Sequence, residues 1–226
     1  VPGKQVLYDF NLDVKPGQKI ALVGATGSGK TTVVNLLMRF YPVDRGEILI
    51  DGVNIQDIKR DELRKNIAIV LQDTVLFSDT IRNNLKYSNL NASDEEMENA
   101  AKMSNCHRMI TRLKKGYDTE LTESGQNLSQ GQRQLLAIAR AAVADPPVLI
   151  LDEATSNLDT VTESAIKSSL LDAVGSAACI VIAHRLSTIK SCDRIYVMDS
   201  GKIIEVGNHE ELINAGGKYA RLWKSQ

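Results

Sequence analysis

The sequence predicts an α/β fold: a mostly parallel sheet covered on both faces, an N-terminal antiparallel β subdomain and an inserted α-helical subdomain. Three observations carry that prediction. Short apolar runs alternate with helical patterns along the chain. One run, residues 19–23, leads through a glycine-rich turn into a helix. From about residue 80 to 145 the pattern is mainly helical instead. A chain of 226 residues suits one large domain, or a core with a smaller subdomain attached. We expect one domain over 1–226, with 1–79 and 146–226 forming mainly the core with its β subdomain, and about 80–145 the helical insertion.

Taken in order, Val6-Leu7-Tyr8 and the alternating Phe10-Asn11-Leu12-Asp13-Val14 suggest an antiparallel strand pair closed by a Pro16-Gly17 turn. Lys19-Ile20-Ala21-Leu22-Val23 reads as a buried strand, and residues 32–40, with Val33, Leu36, Leu37 and Phe40 at helical spacing, as an amphipathic helix. Glu47-Ile48-Leu49-Ile50 is a strand ending at Asp51-Gly52. Residues 54–64 are polar, irregular or briefly helical, and 67–71 form another buried strand. Residues 80–113 turn helical, with Asp94-Glu95-Glu96 at a helix start and Arg112, Lys114 and Lys115 on its C-terminal side. After a polar loop, Ser129 can cap a long helix through Ala144 that stops before Pro146-Pro147. Val148-Leu149-Ile150-Leu151 is the most apolar strand. A helix (160–173), a strand (179–183), a short helix from Leu186, a strand (194–198), a hairpin strand (202–206) and a helical remainder follow.

Bulk properties narrow the function. The formal charge of −1 offers no electrostatic case for a nucleic-acid partner. Cys106, Cys179 and Cys192 are odd in number, widely spaced and in no metal-ligand pattern, which suits a reducing compartment. No signal peptide is evident, and no apolar run approaches the roughly 18 residues of a membrane helix, so a soluble, intracellular chain is expected.

The chemistry concentrates first at Gly24-Ala25-Thr26-Gly27-Ser28-Gly29-Lys30-Thr31, which fits G-x-x-x-x-G-K-[ST] between a strand and a helix. This is the Walker A, or P-loop, arrangement, and it identifies the core as that of a P-loop NTPase. Its glycines let backbone N–H groups curl inward, and the helix adds its positive end, making a cradle for phosphate. Lys30 would reach the terminal phosphates and the Thr31 hydroxyl a magnesium ion. A bland turn has no use for Lys-Thr at a helix start.

Downstream, the apolar strand 148–151 runs into Asp152, whose carboxylate can hold the magnesium shell opposite Thr31. Glu153 is either a general base toward attacking water or a solvent-facing acid. In Leu128-Ser129-Gln130-Gly131-Gln132, a Ser beside a Gly at a helix start is either a second phosphate site or simply a cap.

Together these residues resemble the ATP-binding cassette (ABC) ATPases, in particular the nucleotide-binding domains of ABC exporters. Residues 128–132 look like the LSGGQ signature, Ile150-Leu151-Asp152-Glu153 like Walker B with its catalytic Glu, and Ser156-Asn157-Leu158-Asp159 like the D-loop. Gln72 stands where the Q-loop Gln is expected and His184 where the switch His is. The contexts Gln72-Asp73-Thr74-Val75-Leu76-Phe77-Ser78 and Thr122-Glu123-Ser124-Gly125 are exporter-like, and the resemblance covers essentially the whole chain.

The resemblance implies ATP and Mg2+ as ligands. It assigns Lys30, Gln72, Glu153 and His184 to catalysis. Nucleotide binding falls to Gly24, Thr26, Gly27, Ser28, Gly29, Lys30, Thr31, Thr32, Ser129, Gly131 and Gln132, and the metal to Thr31, Gln72 and Asp152. Two such domains would pair head to tail, each ATP lying between one P-loop and the partner's signature, so that the two separated phosphate sites become halves of one. Gln72 would approach magnesium and attacking water, and His184 the γ-phosphate. Transmembrane domains, fused N-terminally in the full-length protein, would be the further partner, with this domain on the cytoplasmic side of a membrane. Leu76 and Phe77 are either subdomain core or a face toward those domains.

Gln130 and Asn157 depart from the commoner Gly and Ala without removing a phosphate contact, so a hydrolysis-competent site is expected. The family's adenine-stacking aromatic normally precedes a turn like residues 1–4, so it is expected upstream, with Tyr8 the weaker candidate. His107 and His209 are expected on the surface. The alternative, a soluble non-transport ABC ATPase acting on DNA or ribosomes, would carry long insertions or a second cassette. A degenerate, regulatory cassette sits poorly with Glu153 and His184.

Overall fold

The computed structural model describes residues 5–71, 74–123, 125–152, 176–182 and 186–225. The expected helix at 160–173, the D-loop residues and the end of the strand at residue 183 lie outside them. In chain order the strands are β1 (Lys19–Val23), β2 (Leu49–Ile50), β3 (Val53–Asn54), β4 (Ile67–Val70), β5 (Val148–Asp152), β6 (Ala178–Ile182), β7 (Arg194–Asp199) and β8 (Lys202–Gly207). The described helices are α1 (Lys30–Leu37), α2 (Arg60–Lys65), α3 (Ile81–Lys86), α4 (Asp94–Met103), α5 (His107–Thr111), α6 (Gln130–Ala144), α7 (His209–Ala215) and α8 (Lys218–Lys224). The chain divides into two compact units: Val1–Ile67 with Ala178–Gln226, and Ala68–Ala177.

In the first unit β1 lies between β6 and β7, parallel to both, with Ile20 opposite Ile180 on one side and Arg194 on the other. A strand in that position is covered on both faces, which is why it is continuously apolar. Ile20 to Val23 are all buried. β8 returns antiparallel to β7 through Ser200-Gly201, whose positive φ values of 48° and 79° suit a tight hairpin. One core cluster joins Ala21, Val23, Ile189, Ile195 and Val197 to Leu212 of α7 and Tyr219 of α8. Asn208 caps α7 in a reciprocal box with Glu211.

The expected strand pair at 6–14 does not form: residues 5–18 carry no strand. Asp9 takes a positive φ of 46°, which breaks an extended run. Polar groups there bond elsewhere, the Tyr8 N–H to the Gly201 carbonyl at 2.9 Å and the Asp13 carbonyl to the Tyr196 hydroxyl at 3.3 Å. The small antiparallel sheet is instead β2 with β3, closed by Asp51-Gly52.

In the second unit β4 and β5 are neighbours, and α3 and α4 pack on α6. α4 starts at the expected acidic run behind a Ser93–Glu96 capping box. α6 buries residues on most of its circumference, from Gly131 through Leu135, Leu136, Ile138 and Ala139 to Val143, and ends at Asp145 in the left-handed region before the prolines. His107 and His209 are half-buried rather than exposed. Each ring Nδ1 pairs with a tyrosine hydroxyl, Tyr117 at 2.8 Å and Tyr219 at 2.9 Å.

Candidate functional site

The turn between β1 and α1 is held by its own backbone. The Ser28 N–H donates to the Ala25 carbonyl at 3.1 Å, and Gly29 enters α1 from φ 108°, a conformation that side chains on L-residues rarely adopt. A Cβ on Gly24 would overlap the Met198 carbonyl and stand 2.6 Å from the Ser28 hydroxyl, so the loop can close this tightly only on glycine.

Lys30, the first residue of α1, is 5 % exposed. Its Nζ donates to the Gly24 carbonyl at 2.7 Å, the Ala25 carbonyl at 3.1 Å and the Ser28 hydroxyl at 3.5 Å. The Lys30 ammonium thus stands beside the positive N-terminal end of α1, where two sources of positive potential coincide. An anion in the loop would interact favourably with both the ammonium and the helix-start N–H groups. Ala25, Thr26, Gly27 and Thr31 are exposed and Thr32 is half-buried, so the loop's outer side is open to solvent. The cradle therefore fits a phosphate group.

In the second unit Asp152 is the last residue of β5 and half-buried, behind the buried Leu149, Ile150 and Leu151. Gln72, Glu153 and His184 lie outside the described residues. Ser129 caps α6: its Oγ accepts from the Gln132 N–H at 3.2 Å, and the Gln132 Oε1 accepts from the Ser129 N–H at 2.9 Å. Gly131 is buried and Ser129 exposed at that helix start. Tyr8 is turned to local use, with its hydroxyl donating to the Gln5 carbonyl at 3.0 Å and the Lys202 ammonium 5.8 Å from its ring centre. Among the described residues no group of three His, Cys, Asp or Glu could hold a metal ion.

Two polar residues of α6 were missed in the sequence. Gln134, 3 % exposed, accepts from the Thr74 hydroxyl at 2.8 Å and donates to the Leu71 carbonyl at 3.5 Å, gripping both shoulders of the stretch that carries Gln72. Arg140 donates to the carbonyls of Asn84 at 3.1 Å and Val75 at 3.0 Å. The signal for Gln134 was its helical phase: it falls three residues after Gly131 and four before Ile138, on the inward face.

Residues 7–156 match the family profile described as ABC transporter. The chain is 54% identical over 224 residues to an uncharacterized ABC transporter ATP-binding protein, YfiC, of Bacillus subtilis, covering 99% of this chain and 37% of that protein. It is 50% identical over 225 residues to the ATP-dependent lipid A-core flippase of Hahella chejuensis, covering 99% and 38%. Against ATP-binding cassette sub-family B member 6 of Xenopus tropicalis the identity is 48% over 224 residues, covering 99% and 26%. Among solved structures it is similar to a bacterial Atm1-family ABC exporter with ATP bound, at a TM-score of 0.93 and 43% identity, covering 100% of this chain and 40% of that one. The chain thus spans well under half the length of the relatives it matches. Among the described residues no helix is long and apolar enough to cross a membrane.

Proposed function

This chain belongs to the ABC transporter family as an exporter-type ATP-binding domain, an ATPase, and from that premise we propose that it binds Mg·ATP at the P-loop and hydrolyses it to drive export by a larger protein. The observation that carries the reading is the glycine loop itself, which closes tightly on Gly24 and Gly29 above the buried Lys30 at the start of α1 and so forms a cradle that fits a phosphate group. Gly24, Thr26, Gly27, Ser28, Gly29, Lys30, Thr31 and Thr32 hold the phosphates. Thr31, Gln72 and Asp152 are the residues whose motif positions suit magnesium, which when bound would neutralise charge on the terminal phosphates. Glu153 acts as general base toward water, with Gln72 and His184 orienting the reacting groups. Such chemistry is mainly positioning and electrostatic stabilisation. Losing one well-placed group of this kind costs about 10²–10³ in rate.

A second copy, or a related domain, supplies Ser129, Gly131 and Gln132 across a head-to-tail dimer, with residues 80–145 as the helical subdomain that presents them. The partners are transmembrane domains elsewhere in the full-length protein, which places this domain on the cytoplasmic side of a membrane. Leu76 is 2 % exposed and belongs to the apolar interior of its unit, whereas Val75 and Phe77 are exposed and suit that docking face. The relatives named above include exporters and no DNA- or ribosome-acting ATPase, so the non-transport alternative gains nothing from them.

The test is ATP-dependent dimerisation of Glu153→Gln by gel filtration, with Mg·ATP binding measured in parallel. The variant is expected to dimerise with ATP, and Lys30→Ala to abolish both binding and dimer. Full ATPase activity in Lys30→Ala would sink the P-loop assignment.

A further inference from the structure

We propose that the β7–β8 turn, through Gly201, is a positioning element for the phosphate loop, a role that lies outside every motif named above. It rests on the reading of that loop as a nucleotide site. The Gly201 N–H donates to the Ser28 carbonyl at 3.0 Å, and the Gly201 carbonyl accepts the Tyr8 N–H at 2.9 Å. The first of these bonds has a directional consequence. A trans peptide is planar, so its C=O and the following N–H point in opposite directions. No peptide among the described residues is cis. Drawing the Ser28 carbonyl toward Gly201 therefore turns the Gly29 N–H away from the β7–β8 turn. That N–H belongs to the last residue before α1, the place where successive N–H groups bind an anion.

Close packing fixes the same two residues from the other sides. A Cβ on Gly29 would stand 2.9 Å from Leu7 Cδ2, 3.3 Å from Met198 Cε and 3.6 Å from Gly201 Cα. Met198, at the end of β7, is fully buried, and its carbonyl lies against Gly24. The floor of the loop is thus built by Leu7, Met198 and Gly201, from segments far apart in sequence. Gly201 itself has no slack: its φ is 79°, and a Cβ would overlap the Val6 carbonyl. Any side chain at 201 pushes the turn and the 6–8 segment apart and releases the Ser28 carbonyl.

The experiment measures Mg·ATP affinity and thermal midpoint of the full chain for Gly201→Ala, Leu7→Ala, Leu7→Met, Gly216→Ala and Lys30→Ala. Gly216 controls for backbone strain, because its φ of 66° is equally left-handed and nothing lies within 4 Å of its would-be Cβ. Gly201→Ala is expected to bind about tenfold or more weakly, the loss that accompanies one misdirected hydrogen bond to a charged group. Leu7→Ala is expected to weaken binding several-fold, and Leu7→Met, which refills the space beneath Gly29, to restore it. Gly216→Ala should lower the midpoint and leave affinity unchanged. If Gly201→Ala does not fold, the Leu7 pair decides. Wild-type affinity in Gly201→Ala, or in Leu7→Ala where that pair decides, with Lys30→Ala inactive in binding, overturns the positioning role alone. Wild-type affinity in Lys30→Ala overturns the nucleotide site, and this inference with it.

Discussion

The Ser129 hydroxyl closes a capping box with Gln132, yet the two readings of this residue, cap and phosphate ligand, are not exclusive. A hydroxyl can accept from an N–H and still donate its own proton outward, and Ser129 is exposed where it does so. The two roles separate by substitution. Ser129→Ala removes the cap and should lower stability by about 1 kcal/mol in urea unfolding. Ser129→Asp keeps an excellent cap but sets a carboxylate where a partner's phosphate would come. It should therefore retain stability and lose ATP-dependent dimerisation of the Glu153→Gln background. Dimerisation intact in Ser129→Asp would leave Ser129 as a cap alone. Lys30 and Ser129 could be named from sequence because each carries its chemistry in its immediate neighbours. For Gln134 the sequence shows only an inward helical phase, since its importance lies in bonds to Leu71 and Thr74, some 60 residues away.

Elements with strong local signals formed where the sequence put them. β1, β5 and β7 are apolar runs of the right length, and α6 has a cap at one end and prolines beyond the other. The strand expected at 10–14 failed because alternation there is only local, whereas the backbone of 5–13 is claimed by the β7–β8 turn and by Tyr196. α8 shows the same dependence on distant chain. Its N-cap residue, Gly217, has no side chain to offer, and the carboxylate of Glu205 on β8 takes over: Oε2 accepts the Tyr219 N–H at 3.0 Å and Oε1 the Lys218 N–H at 2.5 Å. This arrangement also explains the glycine, because a Cβ at 217 would stand 2.5 Å from Glu205 Oε1. Glu205→Ala should free the start of α8 at a cost of about 1–2 kcal/mol, the scale of a lost helix cap. The chain's single tryptophan, Trp223, lies on α8 and reports the change directly through its fluorescence. An unshifted Trp223 emission and an unchanged urea midpoint in Glu205→Ala would show that α8 is held by Tyr219 in the core rather than by its cap.

At the scale of the whole molecule, the three cysteines behave alike although they belong to different units, Cys106 to the second and Cys179 and Cys192 to the first. The sequence showed that they form no metal pattern, but not that all three are buried, since burial comes from packing that no local spacing encodes. Desolvation pushes each thiol up from an ordinary value of 9.0 to about 12. Such thiols are poor nucleophiles, and the folded chain should react with none of them at pH 8 in a disulfide-exchange assay. The linkage to stability has a definite sign. Between the unfolded and folded values the folded chain holds more protons than the unfolded one, so stability falls as pH rises. The contribution is complete below about pH 9 and is lost progressively toward about 12. Urea midpoints measured at pH 8, 9 and 10 should therefore decline. The triple variant Cys106→Ala, Cys179→Ala, Cys192→Ala should start lower, because each site loses buried volume. Its midpoint should nevertheless decline less steeply over the same interval. Equal slopes in the two proteins would assign the alkaline loss to other groups, with the raised Tyr219 hydroxyl, pushed up by burial to about 12, next in line.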